Sequence, residues 1–289
     1  MISGIVNVLK PPGMTSHDVV AYLRKVYGIR RVGHAGTLDP GAAGVLPVFL
    51  GTATRLIEYT ADADKSYRAE LAFGFATDSG DDTGKVIAHS SGNLLPTEAE
   101  LKATLESFTG PISQIPPMYS AIKVEGKKLY ELARQGISIE REPRRVTINK
   151  IELLYFANSQ ALIDVECSKG TYIRSLCSDI GHKVGSLAVM TFLVRTRVGD
   201  FTLEEAKTLE EVAADKMSVL LPLDYAIKHL PIVVLEDEQV KAFRNGRAIY
   251  YETQLSELVV SVYDQLGCFV GIGQKTSGEP WVSPAKVLG

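Results

Sequence analysis

The sequence predicts an α+β protein, with one large domain over residues 1–229 and a small β-rich one over residues 230–289. Three observations carry this. At 289 residues the chain is long for one ordinary domain and suits one large and one small core. Helical and strand periods interleave up to residue 229 without the regular alternation of a parallel α/β sheet. After Leu230-Pro231 the pattern changes to short β-type runs with one brief helix.

Taken in order, residues 2–9 alternate weakly and read as a strand, ended by Lys10-Pro11-Pro12-Gly13. Ser16 is the expected N-cap of a helix with Val19, Val20, Leu23, Val26 and Tyr27 at helical spacing, closed by Gly28. Residues 44–50 read as a buried strand. Residues 66–73 alternate, with Tyr67, Ala69, Leu71 and Phe73 on one face and Arg68 and Glu70 on the other. Asp78-Ser79-Gly80-Asp81-Asp82-Thr83-Gly84 reads as a turn, because it lacks the closing Glu of a calcium loop. Thr97-x-x-Glu100 is a capping box, followed by Leu101, Leu105 and Phe108 on the apolar side of a helix.

Leu129, Leu132 and Ala133 mark a short helix ended by Gly136. Residues 147–154 and 161–167 read as strands. Residues 172–184 read as a helix with Ile173, Leu176, Cys177 and Ile180 inward. Residues 187–194 are apolar. Thr202-x-x-Glu205 and Thr208-x-x-Glu211 are two more capping boxes. In the tail, a helix is expected over 237–244 and strands over 258–262 and 268–272.

Composition narrows the function classes. Hydrophobic residues make up 45%, enough for a real core. Cys167, Cys177 and Cys268 form neither a metal spacing nor an even disulfide set, so a reduced cytoplasm is expected. The N-terminus has no basic region followed by an apolar run, and no apolar stretch is long enough for a membrane span. The net charge of −3 argues mildly against nucleic acid, but its distribution matters more. Residues 123–150 hold eight bases (Lys123, Lys127, Lys128, Arg134, Arg141, Arg144, Arg145, Lys150) and four acids, a balance of +4. Residues 230–289 hold five bases and seven acids, a balance of −2. The basic span can serve a structured RNA or be a solvated face.

The most distinctive stretch is Gly33-His34-Ala35-Gly36-Thr37-Leu38-Asp39-Pro40-Gly41-Ala42-Ala43-Gly44-Val45-Leu46-Pro47. Asp39 is its single acid. Pro40 drives Asp39 away from helical geometry, and the small neighbours leave room for a ligand. On local chemistry alone, the commoner use of such an Asp is an Asx-type turn. Arg174, in the first turn of its helix, is misplaced relative to the helix dipole, which calls for a nearby carboxylate. An exposed surface pairing would explain it equally well. Neither a Walker A motif, a dinucleotide fingerprint nor a zinc signature is present.

The loop resembles the signature of the TruB family, the tRNA pseudouridine-55 synthases. Further segments agree with that family in order. They are Val8-Leu9-Lys10-Pro11-Pro12-Gly13-Met14-Thr15-Ser16, Asp64-Lys65-Ser66-Tyr67-Arg68-Ala69, Pro117-Met118-Tyr119-Ser120-Ala121-Ile122-Lys123 with Gly126-Lys127-Lys128-Leu129-Tyr130, and Ser168-Lys169-Gly170-Thr171-Tyr172-Ile173-Arg174-Ser175-Leu176. The resemblance implies a mixed-sheet pseudouridine synthase domain with a PUA-like tail. It implies isomerisation of a flipped uridine with neither metal nor cofactor.

By the same resemblance Asp39 is the nucleophile, paired by Arg174, and Tyr67 stacks on the uracil and joins the proton transfer. Tyr172 and Leu193 line the base pocket, and His34 fills the space left by the flipped base as a flat ring rather than a proton donor. Lys10, Arg30, Arg31 and Arg195 are counted with the RNA-binding residues, as phosphate or structural contacts rather than catalysts. Lys123, Lys127, Lys128, Arg144 and Arg145 complete that surface. The expected partner is the T stem-loop of tRNA, met by a monomer with no membrane association. Two other readings stay open. One is an RNA-binding protein without chemistry. The other is an Asp-nucleophile hydrolase, which would want a second carboxylate nearby.

Overall fold

The computed structural model describes residues 2–91, 95–120, 122–124, 126–251, 258–275 and 279–288. Glu125, Glu252 and Glu257, which enter the charge balances, and Ala121 of the motif at 117–123 lie outside the described residues. The chain runs β1 (Gly4–Lys10), α1 (Ser16–Tyr27), β2 (Val32–His34), β3 (Ala43–Leu50), α2 (Ile57–Ala61), β4 (Lys65–Phe73), β5 (Phe75–Thr77), β6 (Val86–His89), α3 (Glu98–Glu106) and β7 (Gly110–Gln114). It continues with β8 (Lys123–Val124), β9 (Lys127–Lys128), α4 (Leu129–Arg134), β10 (Arg144–Ala157), β11 (Gln160–Cys167), α5 (Ile173–Lys183), β12 (Ala188–Val198), β13 (Phe201–Thr202) and α6 (Leu209–Ala214). Last come β14 (Ile232–Leu235), α7 (Asp237–Arg244), β15 (Ile249–Tyr250), β16 (Val259–Asp264), β17 (Phe269–Lys275) and β18 (Trp281–Val287).

Among the described residues the main sheet has nine strands. Its path is β1-β3-β12-β4-β11-β10-β7, with β2 added to β3 and β13 to β12. It is mixed: β12 runs parallel to β3 and antiparallel to β4. The alternation read in β4 is real, with Tyr67, Ala69, Leu71 and Phe73 all buried. They meet Ile173, Leu176, Cys177 and Ile180 of α5, each at most 4% exposed. Burying side chains of this kind contributes about 1.5–3 kcal/mol each. That stripe seats α5 firmly on the sheet and so fixes the placement of Arg174 at its start. At the other end, α1 packs Val19, Val20 and Leu23 on Val6, Val8, Leu46 and Val48.

The second sheet, β14-β16-β17-β18-β15, has its own core of Val233, Leu235, Phe243, Val260 and Val262. It is also moored to the first. Ile272 joins Ile5, Val45 and Phe49 in one buried cluster. Arg55 donates to the Val287 carbonyl at 2.7 Å, and Lys286 pairs with Glu58 at 2.8 Å. Among the described residues no helix is long and apolar enough to cross a membrane.

Two local readings need correction. Thr15, not Ser16, caps α1: its hydroxyl accepts from the Asp18 amide at 3.0 Å, and Asp18 accepts from the Thr15 amide at 2.8 Å. Ser16 turns inward instead, to a task described below. The box Thr202-x-x-Glu205 opens no helix. Thr202 pairs with Arg197 across β12–β13, its carbonyl accepts from Asn7, and Glu205 accepts from the Tyr225 hydroxyl. Tertiary partners take up the groups that a capping box would use. The apolar run at 187–194 belongs to β12, which pairs with both β3 and β4.

Candidate active site

β2 and β12 share one edge of β3. His34 pairs with Val48, while Val194 and Arg195 pair with Ala43 and Gly44. Residues 35–42 span the gap between the two partners and carry Asp39. The loop is pinned at many points. Ala35 donates to the Pro47 carbonyl at 3.0 Å, the Leu38 amide to Ser16 Oγ at 2.9 Å, and the Gly13 amide to the Pro40 carbonyl at 2.8 Å. Lys10 Nζ reaches the carbonyls of Pro11, Pro40 and Ala42 at 2.9, 3.2 and 2.6 Å. Arg195 donates from Nε to Val45 at 2.8 Å, from Nη2 to Gly36 at 3.1 Å and from Nη1 to Thr37 at 3.4 Å.

These bonds correct the placement of Lys10 and Arg195 among the RNA-contacting residues. They are 0% and 1% exposed, and their donors are taken by main-chain oxygens. Of the two roles left open for them, this burial fits the structural one. A buried cation is tolerable only when its donors are satisfied. Burial still pulls the Lys10 ammonium down to about 8, against the upward pull of Asp39.

Asp39 leans out of this loop onto Arg174. Arg174 Nε lies 2.9 Å from Asp39 Oδ2, with the Arg side chain 6% and the Asp side chain 39% exposed. The remaining Arg174 donors go to the carbonyls of Ser79 at 2.9 Å and Tyr119 at 2.7 Å. The carboxylate is therefore held from behind and open in front. Beside it, Tyr67 and Arg195 are cross-strand partners on β4 and β12, and Leu193 stands opposite Ala69 two positions earlier on β12. Burial pushes the Tyr67 hydroxyl up, and the charge of Arg195 across the strands pulls it back. Tyr172 immediately precedes α5, and both its amide and carbonyl are held by the Gln114 side chain, at 2.8 and 3.1 Å. Burial, then Arg195, lowers the His34 imidazole below its ordinary range, which favours a neutral flat ring.

The remaining basic residues lie at the surface. Arg30 and Arg31 are exposed just before β2, with Arg31 Nε on Thr54 Oγ1 at 2.7 Å. Lys123 and Lys127 are exposed on the β8–β9 hairpin, and Lys128 lies over the Tyr130 ring at 5.3 Å. Arg144 and Arg145 are exposed where β10 pairs with Gln114 and Ser113 of β7. The basic span is thus tied to the site at both ends, through Tyr119 and through Gln114.

Sequence reasoning missed Ser16, Gln114 and the Ser79–Asp81 turn. That turn was read only as a connection, yet its Ser79 carbonyl holds Arg174, and Asp81 adds a nearby negative charge. The density of acids around Gly80 was the available signal. Among the described residues no group of three or more His, Cys, Asp or Glu is arranged to hold a metal ion.

The arrangement offers one half-open carboxylate among buried cations, with a phenol and apolar side chains beside it. Known proteins resemble this chain over most of its length. Residues 24–173 match the TruB family pseudouridylate synthase N-terminal domain. Residues 174–228 match the tRNA pseudouridylate synthase B C-terminal domain, and 231–287 the C-terminal domain of pseudouridine synthase II TruB. The tRNA pseudouridine synthase B of Caldanaerobacter subterraneus subsp. tengcongensis is 49% identical over 273 residues, covering 94% of this chain and 95% of its own. That of Symbiobacterium thermophilum is 51% identical over 250 residues, covering 86% and 83%. Among solved structures, a Cbf5-Nop10-Gar1 complex contains a chain 30% identical with a TM-score of 0.76, covering 98% of this chain and 84% of that one. The chain belongs to the TruB family of pseudouridylate synthases.

Proposed function

We propose that this protein isomerises uridine 55 in the T-loop of tRNA to pseudouridine, with Asp39 as the nucleophile. The observation that carries the reading is the Asp39–Arg174 pair. A carboxylate 39% exposed on its outer side and fixed by a buried guanidinium at 2.9 Å is a positioned nucleophile. A uridine in a folded loop must leave the stack to reach it. Leu193 and Tyr172 bound the pocket for the base, Tyr67 stacks on it, and the neutral His34 ring fills the vacated space.

The N1–C1′ bond then breaks with Asp39 as nucleophile, the uracil turns, and the C5–C1′ bond forms as the bond made by Asp39 breaks and its carboxylate is released. The C5 proton leaves and N1 takes one up, so atoms and charge balance without redox chemistry or hydrolysis. Tyr67 hands this proton across. The exposed bases of the span 123–150 track the phosphates of the T stem, which dominate affinity. Residues 1–229 form the catalytic domain and residues 230–289 a PUA-like RNA-binding domain with the smaller share of the contacts. The enzyme works as a monomer in the cytoplasm.

The test is direct. Incubation of the protein with an unmodified tRNA transcript and with an isolated T stem-loop, followed by mapping of pseudouridine, is expected to place the product at position 55 in both. Product elsewhere, or none in the stem-loop, contradicts the reading.

A further inference from the structure

Among the described residues the largest fully buried side chain is a cation, Arg195. No carboxylate among the described residues pairs with it. Its side chain instead spans two parts of the site. On one side it holds the carbonyls of Gly36, Thr37 and Val45, at both ends of the Asp39 loop. On the other it faces Tyr67, its cross-strand partner on β4. The backbone is shaped to bring it there. At Gly44 the strands approach so closely that a Cβ would sit 2.7 Å from the Arg195 amide nitrogen and nearer still to its carbonyl oxygen. At Gly36, a Cβ would lie 3.5 Å from Arg195 Nη1.

We propose that Arg195 is a positioning residue of the isomerisation, tying the loop that carries Asp39 to the hydroxyl of Tyr67. The inference rests on the reading given under Proposed function. Arg has no acceptor, so toward the Tyr67 oxygen it can only donate, which leaves the phenolic hydrogen free for another partner. When Tyr67 passes its proton to the ring, the charge appears on an oxygen beside a buried cation. The phenolate then takes up the proton leaving C5, and Tyr67 returns to its starting state. Five charged or titratable groups besides Arg195 share this pocket. Cys167 on β11 and Asp39 in the loop face Tyr67, and Lys10 on β1, Lys65 on β4 and His34 on β2 face Arg195. Cys167 and Asp39 oppose ionisation of the phenol, which leaves Arg195 as the group that favours it.

The experiment measures single-turnover pseudouridine formation, tRNA affinity and urea stability for the wild type and for Arg195→Lys, Arg195→Gln, Tyr67→Phe and Arg195→Gln/Tyr67→Phe. Arg195→Gln is expected to lose about 100-fold in rate, within the range for a positioned proton-transfer group. Its tRNA affinity stays within about threefold of wild type. Arg195→Lys, which keeps the charge, recovers part of the rate, and its pH–rate profile moves toward higher pH. In the Tyr67→Phe background the Arg195→Gln loss shrinks to less than about fivefold, because the two act as a unit. Full additivity of the two losses, or a folded Arg195→Gln protein at wild-type rate, overturns the inference. So does failure of both Arg195 variants to fold when Tyr67→Phe folds normally, since Arg195 would then serve folding alone. A wild type that forms no pseudouridine would instead refute the underlying reading.

Discussion

Gly44→Ala isolates the close approach on which the site is built. Gly44 sits in β3 at φ +111°, a conformation that costs a residue with a Cβ roughly 1–2 kcal/mol. A methyl group there also meets main chain: the Arg195 nitrogen at 2.7 Å, its carbonyl carbon at 2.9 Å, and its oxygen closer than either. No side-chain rotation relieves that overlap, so β12 must move off β3. The strands share only the pairs Val194–Ala43 and Arg195–Gly44, whose hydrogen bonds contribute about 1 kcal/mol each. The loss sums to about 3–4 kcal/mol. Gly41, in the same loop, is the control: it is exposed, its φ is not positive, and nothing lies within 4 Å of its Cβ position. Gly41→Ala should be neutral or stabilising by up to about 1 kcal/mol. Urea unfolding of both variants measures the difference. A Gly44→Ala protein within about 1 kcal/mol of wild type would refute the reasoning.

Other perturbations reach the remaining contacts. Lys10→Met tests the buried ammonium through pH. The unfolded chain keeps Lys10 charged up to its ordinary 10.5, whereas the fold releases the proton from about 8. The unfolded state binds more protons in that window, so this group adds stability as pH rises. From pH 7.5 to 9.5 the wild type should gain up to about 2 kcal/mol relative to Lys10→Met in urea unfolding, and a relative loss would contradict the assignment. Ser16→Ala leaves the Leu38 amide without its acceptor and should cost about 1–2 kcal/mol in stability, with slower turnover. Reversing Lys127, Lys128, Arg144 and Arg145 together should weaken tRNA binding sharply. It should also flatten the slope of log affinity against log salt by about 3. An unchanged slope would place the RNA elsewhere.

What could be read from the sequence was local. The alternation of Tyr67, Ala69, Leu71 and Phe73 matched the buried face of β4, and the boxes at Thr97 and Thr208 cap α3 and α6, because both signals need only near neighbours. The box at Thr202 carries the same letters and fails because its groups bond Arg197, Asn7 and Tyr225, residues that only the fold brings close. The Asp39–Arg174 contact was hinted at by an Arg at the wrong end of a helix. Burial of Lys10 and Arg195 on main-chain oxygens left no pattern, since a lysine after a strand and an arginine just after an apolar run look alike whether they face solvent or a loop. The paired strands β8 and β9, two residues each, are too short to show any period.

The central claim is that Asp39 performs the chemistry while other residues hold the RNA. It is tested most directly by Asp39→Asn, assayed for single-turnover pseudouridine formation and, separately, for tRNA affinity. The variant keeps the shape of the side chain and replaces the carboxylate with a neutral amide. The account predicts less than about 1% of wild-type turnover, with affinity changed by no more than a few-fold. An Asp39→Asn protein that still forms pseudouridine at a substantial fraction of the wild-type rate would contradict it.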